Sequence, residues 1–383
     1  MEKVLPYDVV LQVFCRLPIQ SIFNCKLVCK AWLGILKDPF FALQHVIYRQ
    51  LINGGDHYAY DHGFLMLIID FSIFSGFSLW YHDYVKTNEE EVGLYMPPIK
   101  RISHPTIRRY DHYCYKSIIG SCNGLICCSL SIDGDPIYIC NPVTKEYLCL
   151  PKLMDSQEYE SGGFGYHHST NEYKVVRILS RRSTSVKRQV QVYTLGGTSD
   201  HGWRNKDDIR YVFSRRGGIF VNGEIYWLSY DSTIVAFNIA DEKFHEVISL
   251  PPSITDDFGL PLFEVDGCLC VVEYLRDDKK NDVWLLRKRT GNDLSGKEFH
   301  TLSWRKEFSI STSMFIFPLS ITKGGGLLIW QDGECLCYDP KHGIAQHIGH
   351  SNNEYIFEVI PHTNSLVSLK ALVDERPDRI RRE

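Results

Sequence analysis

Residues 124–151 read GLICCSLSIDGDPIYICNPVTKEYLCLP, and this stretch decides the architecture. Two apolar runs, Leu125–Leu130 and Ile137–Cys140, flank Asp133-Gly134, a dipeptide suited to a tight hairpin turn. Asn141-Pro142 makes the next turn, and Tyr147–Leu150 forms a third strand that stops at Pro151. The cassette returns as VNGEIYWLSYDSTIVAFNIADEKFHEVISLP over Val221–Pro251 and as GGGLLIWQDGECLCYDPKHGIAQHIG over Gly324–Gly349. Gly124, Gly223 and Gly326 are separated by 99 and 103 residues, with related strand pieces between them at Ser161–Leu179 and Glu264–Leu286. Strand-rich repeats of roughly 45–50 residues are the signature of propeller blades, because one small sheet cannot bury both its faces alone. A β-sandwich pair could use the same strands, but a repeat carried across the body favours the propeller. Counting from His62 gives about six blades, with Tyr355–Leu369 left to complete the first or the last.

Upstream, the pattern changes. In LPYDVVLQVFCRLPIQSIFNCKLVCKAWLGILKDPFFALQH, Leu5–His45, Val9, Val13 and Leu17 recur every four positions with Val10 and Phe14 beside them. The spacing predicts a helix from near Pro6 to Pro18, since proline suits a first turn and the residue before a proline leaves the α region. Ser21 is placed to cap a second short helix, and Leu27, Val28, Trp32, Ile35 and Leu36 form a third stripe ended by Asp38-Pro39. Three short helices in about 40 residues cannot enclose a sizeable core and call for a metal, disulfides or a partner. Cys15, Cys25 and Cys29 lack a second ligand pair, so a partner is expected. Basic residues Lys3, Arg16, Lys26, Lys30, Lys37 and Arg49 outnumber Glu2, Asp8 and Asp38 here, suiting an acidic partner.

The chain has 383 residues, 13% aromatic and 23% charged, the profile of a soluble globular protein with ample core. A net charge of −4 provides no general drive toward nucleic acid or an anionic membrane. The N-terminus shows no secretory signal, and the most apolar stretch, Phe64–Trp80, is short for a membrane span and contains Asp70. Thirteen cysteines, an odd number at irregular spacing, are expected as reduced thiols in the cytoplasm or nucleus.

The spacing LP…RLP…CKLVCKAW…DPFF closely resembles the F-box, the adaptor-binding motif of cullin-RING ubiquitin ligase receptors. GSCNGLICC, NPVTKEY, FGYHHSTNEYKVVRI, NGEIYWLS and AFNIADEKF similarly resemble the F-box-associated, kelch-like domain of plant F-box proteins. The expected fold is therefore α+β and multidomain: an all-α F-box of three short helices (1–50), an all-β propeller of about six blades (52–373), and a disordered tail (374–383). The resemblance implies a non-catalytic substrate receptor of an SCF-type ligase, with Leu5, Pro6, Leu17, Pro18, Val28, Cys29, Lys30 and Trp32 docking on a Skp-type adaptor. Cullin and a RING subunit would join through that adaptor, and the propeller would hold a target protein. Trp32 is expected to anchor the adaptor interface.

Three loop stretches, Arg181-Arg182, Trp203-Arg204 and Arg215-Arg216, are the candidate target contacts, because arginine and exposed aromatics are enriched at interfaces. Other chemistry is weighed and set aside. Cys268-x-Cys270 and Cys335-x-Cys337, pooled with His167, His168, His342 or His347, could be drawn as a zinc site. Alternating cysteines are also how the core face of a strand looks, and that is the expectation. Cys127-Cys128 point to opposite faces. Asp207-Asp208, Asp256-Asp257 and Asp277-Asp278 sit in polar turns, and no G-x-S-x-G, Walker-type or Rossmann motif occurs. No cofactor, metal, nucleic acid or membrane is expected. The alternative is a propeller lectin or enzyme whose N-terminal helices pack only locally, which requires a polar pocket with convergent titratable groups.

Overall fold

The computed structural model describes residues 6–53, 62–70, 76–83, 100–108, 118–129, 136–152, 157–181, 187–196, 202–213, 216–254, 260–292, 298–322, 324–350, 356–373 and 380–382. Four helices come first: α1 (Tyr7–Arg16), α2 (Ile19–Cys25), α3 (Lys30–Lys37) and α4 (Pro39–Asn53). α1 starts after Pro6 with Asp8 in its first turn and Arg16 in its last, both favourable to the helix dipole. It ends where Pro18 forces Leu17 into an extended conformation. Three expectations need correction. Ser21 lies inside α2, whose N-cap is Pro18. Leu27 and Val28 lie in the turn before α3, which Cys29 caps by accepting a bond from the Trp32 amide. Asp38-Pro39 ends α3 but opens a fourth helix, which runs to Asn53. The module is held together by Phe14, Cys15, Ile19, Ile22, Leu36, Phe41 and Ala42, with Trp32 edge-on to Phe14 at 5.0 Å.

The body is a six-bladed propeller of antiparallel sheets, four-stranded in every blade but the second, which has a fifth strand at its rim. The first contains β1 (His62–Asp70), β2 (Gly76–Asp83) and β3 (Lys100–Arg108). The second contains β4 (Ile118–Cys122), β5 (Leu125–Ser129), β6 (Ile137–Asn141) and β7 (Glu146–Cys149); the third, β8 (Gln157–His167), β9 (Glu172–Arg181), β10 (Gln189–Leu195) and β11 (Trp203–Asn205). The fourth contains β12 (Ile219–Val221), β13 (Glu224–Leu228), β14 (Thr233–Asn238) and β15 (Lys243–Ser249). The fifth contains β16 (Leu262–Val265), β17 (Cys268–Leu275), β18 (Lys280–Asn292) and β19 (Glu298–Ser311). The sixth contains β20 (Phe317–Ile321), β21 (Leu327–Gln331), β22 (Glu334–Asp339) and β23 (Ile344–His350). The chain then returns as β24 (Ile356–Thr363), which pairs antiparallel with β1 as the innermost strand of the first blade and closes the ring. Of the two places open to that segment, it takes the first blade.

The repeat spacing now has a geometric meaning. Gly124 and Gly223 sit in the turns between first and second strands of blades two and four, and Gly325-Gly326 in that of blade six, so a separation near 100 residues spans two blades. At Asn123-Gly124 and Asn222-Gly223 both residues have positive φ, as a two-residue hairpin turn with the sheet's own twist requires. The turns between third and fourth strands repeat a second device. Asn141 Oδ1 accepts from Val143 N, Asn238 Oδ1 from Ala240 N, and Asp339 Oδ1 from Lys341 N. Such Asx turns explain the NPVTKE, NIADEK and DPKHG signatures.

Six apolar clusters fill the six blade interfaces. On β5, Leu125 and Cys127 face the third blade while Ile126 and Cys128 face the first, the period-two alternation of a strand buried on both sides. Close packing there leaves no room for side chains at certain glycines. A Cβ on Gly163 or Gly218 would lie within 3 Å of the Trp227 ring.

In an antiparallel blade the 1–2 and 3–4 turns share one end, and the 2–3 loops and blade connectors share the other. The helical module packs at the first of these, here the near face: its core includes Leu366, just past β24, and touches Val143 in the β6–β7 turn. Val46 of α4 sits in the cluster between blades two and three. Residues 364–373, ending in the short helix α5 (Leu369–Leu372), strap the two bodies together. Asn141 Nδ2 donates to the carbonyls of Ser365 (3.1 Å) and Val367 (2.7 Å), Ser368 Oγ donates to the buried Glu146 carboxylate (2.9 Å), and Gly196 N donates to Leu372 O. Within the tail expected to be disordered, Ile380–Arg382 (β25) pair antiparallel with β7 at the rim of the second blade; 374–379 lie outside the described residues.

Candidate functional site: a helical docking face and the far face of the propeller

Among the described residues, ten large apolar side chains are exposed, and six belong to the helical module: Tyr7, Val9, Val13, Leu27, Val28 and Phe40. The other four, Tyr230, Leu302, Met314 and Ile344, are spread over the far larger propeller. Such a concentration in one small module marks an interaction surface. Val9 and Val13 are one helical turn apart on α1, while Val10 and Phe14 beside them turn inward. The α2–α3 turn presents Leu27 at 86% exposure and Val28 at 63%. Lys30 and Lys37 are exposed on α3. The Lys26 amine, partly buried and near Lys37, is held below the usual lysine range, first by burial and then by that neighbouring charge.

The residues expected to dock divide into two groups. Pro6, Val28, Cys29 and Lys30 are exposed; Leu5 lies outside the described residues. Leu17, Pro18 and Trp32 are half-buried. Leu17 and Trp32 pack on the module's own core, and the Leu17 carbonyl is 3.1 Å from His45 Nε2. Trp32 therefore supports the module's own fold through Phe14, in addition to the docking role that the resemblance implies. Tyr7, Leu27 and Phe40, also exposed, lie outside the docking set that the resemblance implies. Their signal was present as apolar residues off the buried stripe, but periodicity alone cannot say which of two apolar faces meets the core.

The loop candidates also separate. Arg181 ends β9 and Arg216 lies in the connector between blades three and four, so both belong to the far face, opposite the helices. Arg182 and Arg215 lie outside the described residues. Trp203 and Arg204 are half-buried on β11, which corrects their expected place in an exposed loop. Trp203 donates from Nε1 to the Pro151 carbonyl (2.8 Å), lies under the Arg177 guanidinium (3.7 Å) and packs on the cluster between blades two and three. Arg204 gives one Nη2 bond to Glu242 and one to Thr194, each 2.8 Å. Lys174 Nζ, at 2.8 Å, and Lys206 complete the set of cations on Glu242. Burial alone would raise the Glu242 carboxyl, but the bonds from Arg204, Lys174 and Lys206 outweigh it and hold the group at about 2. This cluster clamps blade four to blade three.

The remaining candidates for chemistry are structural. Cys268 and Cys270 pack into the cluster between blades five and six, and Cys335 and Cys337 into that between six and one. Burial pushes the Cys335 thiol up to about 12 and the Cys270 thiol well above its ordinary range, the opposite of a ligating thiolate. Asp207-Asp208 and Asp277-Asp278 are exposed; Asp256-Asp257 lie outside the described residues.

Comparison with known proteins accords with this geometry. The F-box domain family matches residues 4–43, and the F-box associated beta propeller domain family matches residues 85–355. Similar chains from Arabidopsis thaliana include F-box protein At3g07870, 30% identical over 94% of this chain and 91% of that one. F-box/kelch-repeat protein At3g23880 is 25% identical over 84% and 83%, and F-box protein CPR1 is 25% identical over 83% and 77%.

Proposed function

This chain belongs to the F-box-associated β-propeller family and carries an F-box ahead of the propeller, and on that premise we propose that it is the substrate receptor of an SCF-type ubiquitin ligase. The F-box binds a Skp-type adaptor, itself bound to cullin and a RING subunit, and the far face of the propeller holds a target protein. The receptor makes and breaks no bond. It raises the local concentration of the target's lysines near a ubiquitin thioester carried by the conjugating enzyme. The observation that carries this reading is the cluster of exposed apolar residues on the F-box, which the 364–373 strap holds on the near face.

The deciding experiment is co-purification with a recombinant Skp-type adaptor. Leu27→Asp with Val28→Asp should abolish adaptor recovery at unchanged thermal stability, because neither side chain supports the fold. Wild-type recovery by that variant would refute the docking face. Trp32→Ala should lose the adaptor only together with F-box stability. Reconstitution with cullin, RING subunit and conjugating enzyme then tests ligase activity; an adaptor-bound chain that supports no ubiquitin transfer would indicate a scaffold instead.

A further inference from the structure

The outer edges of the six blades are not built alike. An outermost strand leaves a row of backbone N–H and C=O groups open to pairing with another strand, and bulges, charge or cover are what deter it. The outermost strand pairs of blades one, four, five and six are each broken by a register shift, between Phe77 and Leu79, Ile234 and Val235, Val283 and Trp284, and Cys335 and Leu336. That of blade three has only three pairs among the described residues. β15 and β19 add exposed charge, with Lys243 and Glu246 on one and Arg305 and Lys306 on the other. In blade two, β6 and β7 pair over four residues without a shift. The one charged residue of β7, Glu146, is buried and accepts from Ser368; Leu148 is buried too, and the exposed residue is Cys149.

Among the described residues, this regular, uncharged edge is also the only one that the chain covers with a further strand. Ile380, Arg381 and Arg382 pair with Leu148, Tyr147 and Glu146. The strap delivers the tail there: Ser368 Oγ and the Lys370 amide both donate to the Glu146 carboxylate, at the near end of β7. Leu150 N donates inward to Ile137 O on β6, and amides alternate in direction along a strand, so Tyr147 and Cys149 turn theirs outward. Tyr147 lies opposite Arg381, so these two residues exchange the bonds that hold β25. Without β25 the same edge is self-complementary. A two-fold axis at Leu148 sets Tyr147 opposite Cys149 of a second copy, again as a reciprocal pair.

We propose that the tail is an edge guard: β25 covers the outer edge of blade two and thereby keeps two copies of the chain from pairing through β7. This goes beyond the receptor reading and does not rest on it. The test is sedimentation velocity of the full chain over a range of concentrations, with a reductant present so that thiols do not cross-link copies. Arg381→Pro removes the donor that faces Tyr147. Its weight-average mass should exceed that of wild type and climb with concentration toward twice the wild-type value. Deleting residues 380–383 is a second variant, free of proline, that should associate in the same way. Adding Cys149→Pro to either one removes an outward donor of β7 and spares the bonds to β6, so the mass should return to that of wild type. Masses equal to wild type in both tail variants, or association that Cys149→Pro leaves intact, would each overturn the proposal.

Discussion

At the residue scale, two carboxylates of opposite character are informative. Glu242 gathers Lys174, Arg204 and Lys206, and removing it leaves the nearly buried Lys174 with only its longer ion pair to Glu172, 3.7 Å, and takes the shared carboxylate from the other two cations. Glu242→Gln should cost about 3 kcal/mol, the usual result of breaking a buried ionic cluster by deleting one partner. Denaturant titration at neutral pH measures it, and a cost under about 1 kcal/mol would show the cluster to be solvated. Because the folded carboxyl lies near 2 against an ordinary 4.5, its contribution is fully present above 4.5 and is lost as pH falls toward 2. Glu264 behaves oppositely. Burial raises it to about 7 despite the bond from the Gly267 amide, so the folded state holds its proton where the unfolded state does not. Ionising it costs stability as pH rises from 4.5 through 7. Glu264→Gln should therefore raise the melting temperature at pH 8 by a few degrees and change little at pH 4. A gain equal at both pH values would mean packing, and not charge, is responsible. Neither environment is legible in the sequence, where Glu242 and Glu264 look like ordinary turn and strand residues.

At the element scale, the strap over 364–373 matters most. It places Leu366 in the F-box core and Val367, Leu369 and Val373 in the core between blades two and three, so a single short segment sets how the two bodies are held. Asn141 holds it by donating twice from one amide. Asn141→Asp replaces that donor with a carboxylate oxygen facing two carbonyls, at a cost of about 2–3 kcal/mol. Hydrogen exchange should rise across 365–373, while adaptor binding survives, since the exposed F-box residues are untouched. Unchanged protection of the strap would show that apolar packing alone secures it. The pattern of 355–369 predicts only a blade-completing strand. Ser365–Val373 has no period of its own, and its order comes from partners distant in the chain, Asn141, Glu146 and Gly196.

At the scale of the whole molecule, closure and polarity explain each other. β24 makes the last segment the innermost strand of the first blade, so the strand that seals the ring also ends on the near face, beside the F-box. α4 leads into β1 at that same end. Both chain crossings between the bodies therefore fall on the near face. The F-box is no separate bead: α4 and the strap bury Val46 and Leu366 across the junction. A propeller fragment cut at residue 52 would fold with part of its near face stripped.

The architecture is legible in local patterns. Alternating apolar strands, Asn-Gly and Asp-Gly turns and a two-blade spacing near 100 residues are local signals, and each blade depends on them locally. Such patterns also mark the F-box and where α1 and α3 end, since prolines act on their own neighbours. Which apolar residues of the helices face out, and that Trp32 packs on Phe14, follow from tertiary contacts alone. Those contacts also turn Trp203 and Arg204 inward and bring Arg188 to Ile209. The physical reason is the same in each case: side-chain orientation, burial and ionic pairing depend on groups that are distant in the chain and adjacent only once the ring has closed.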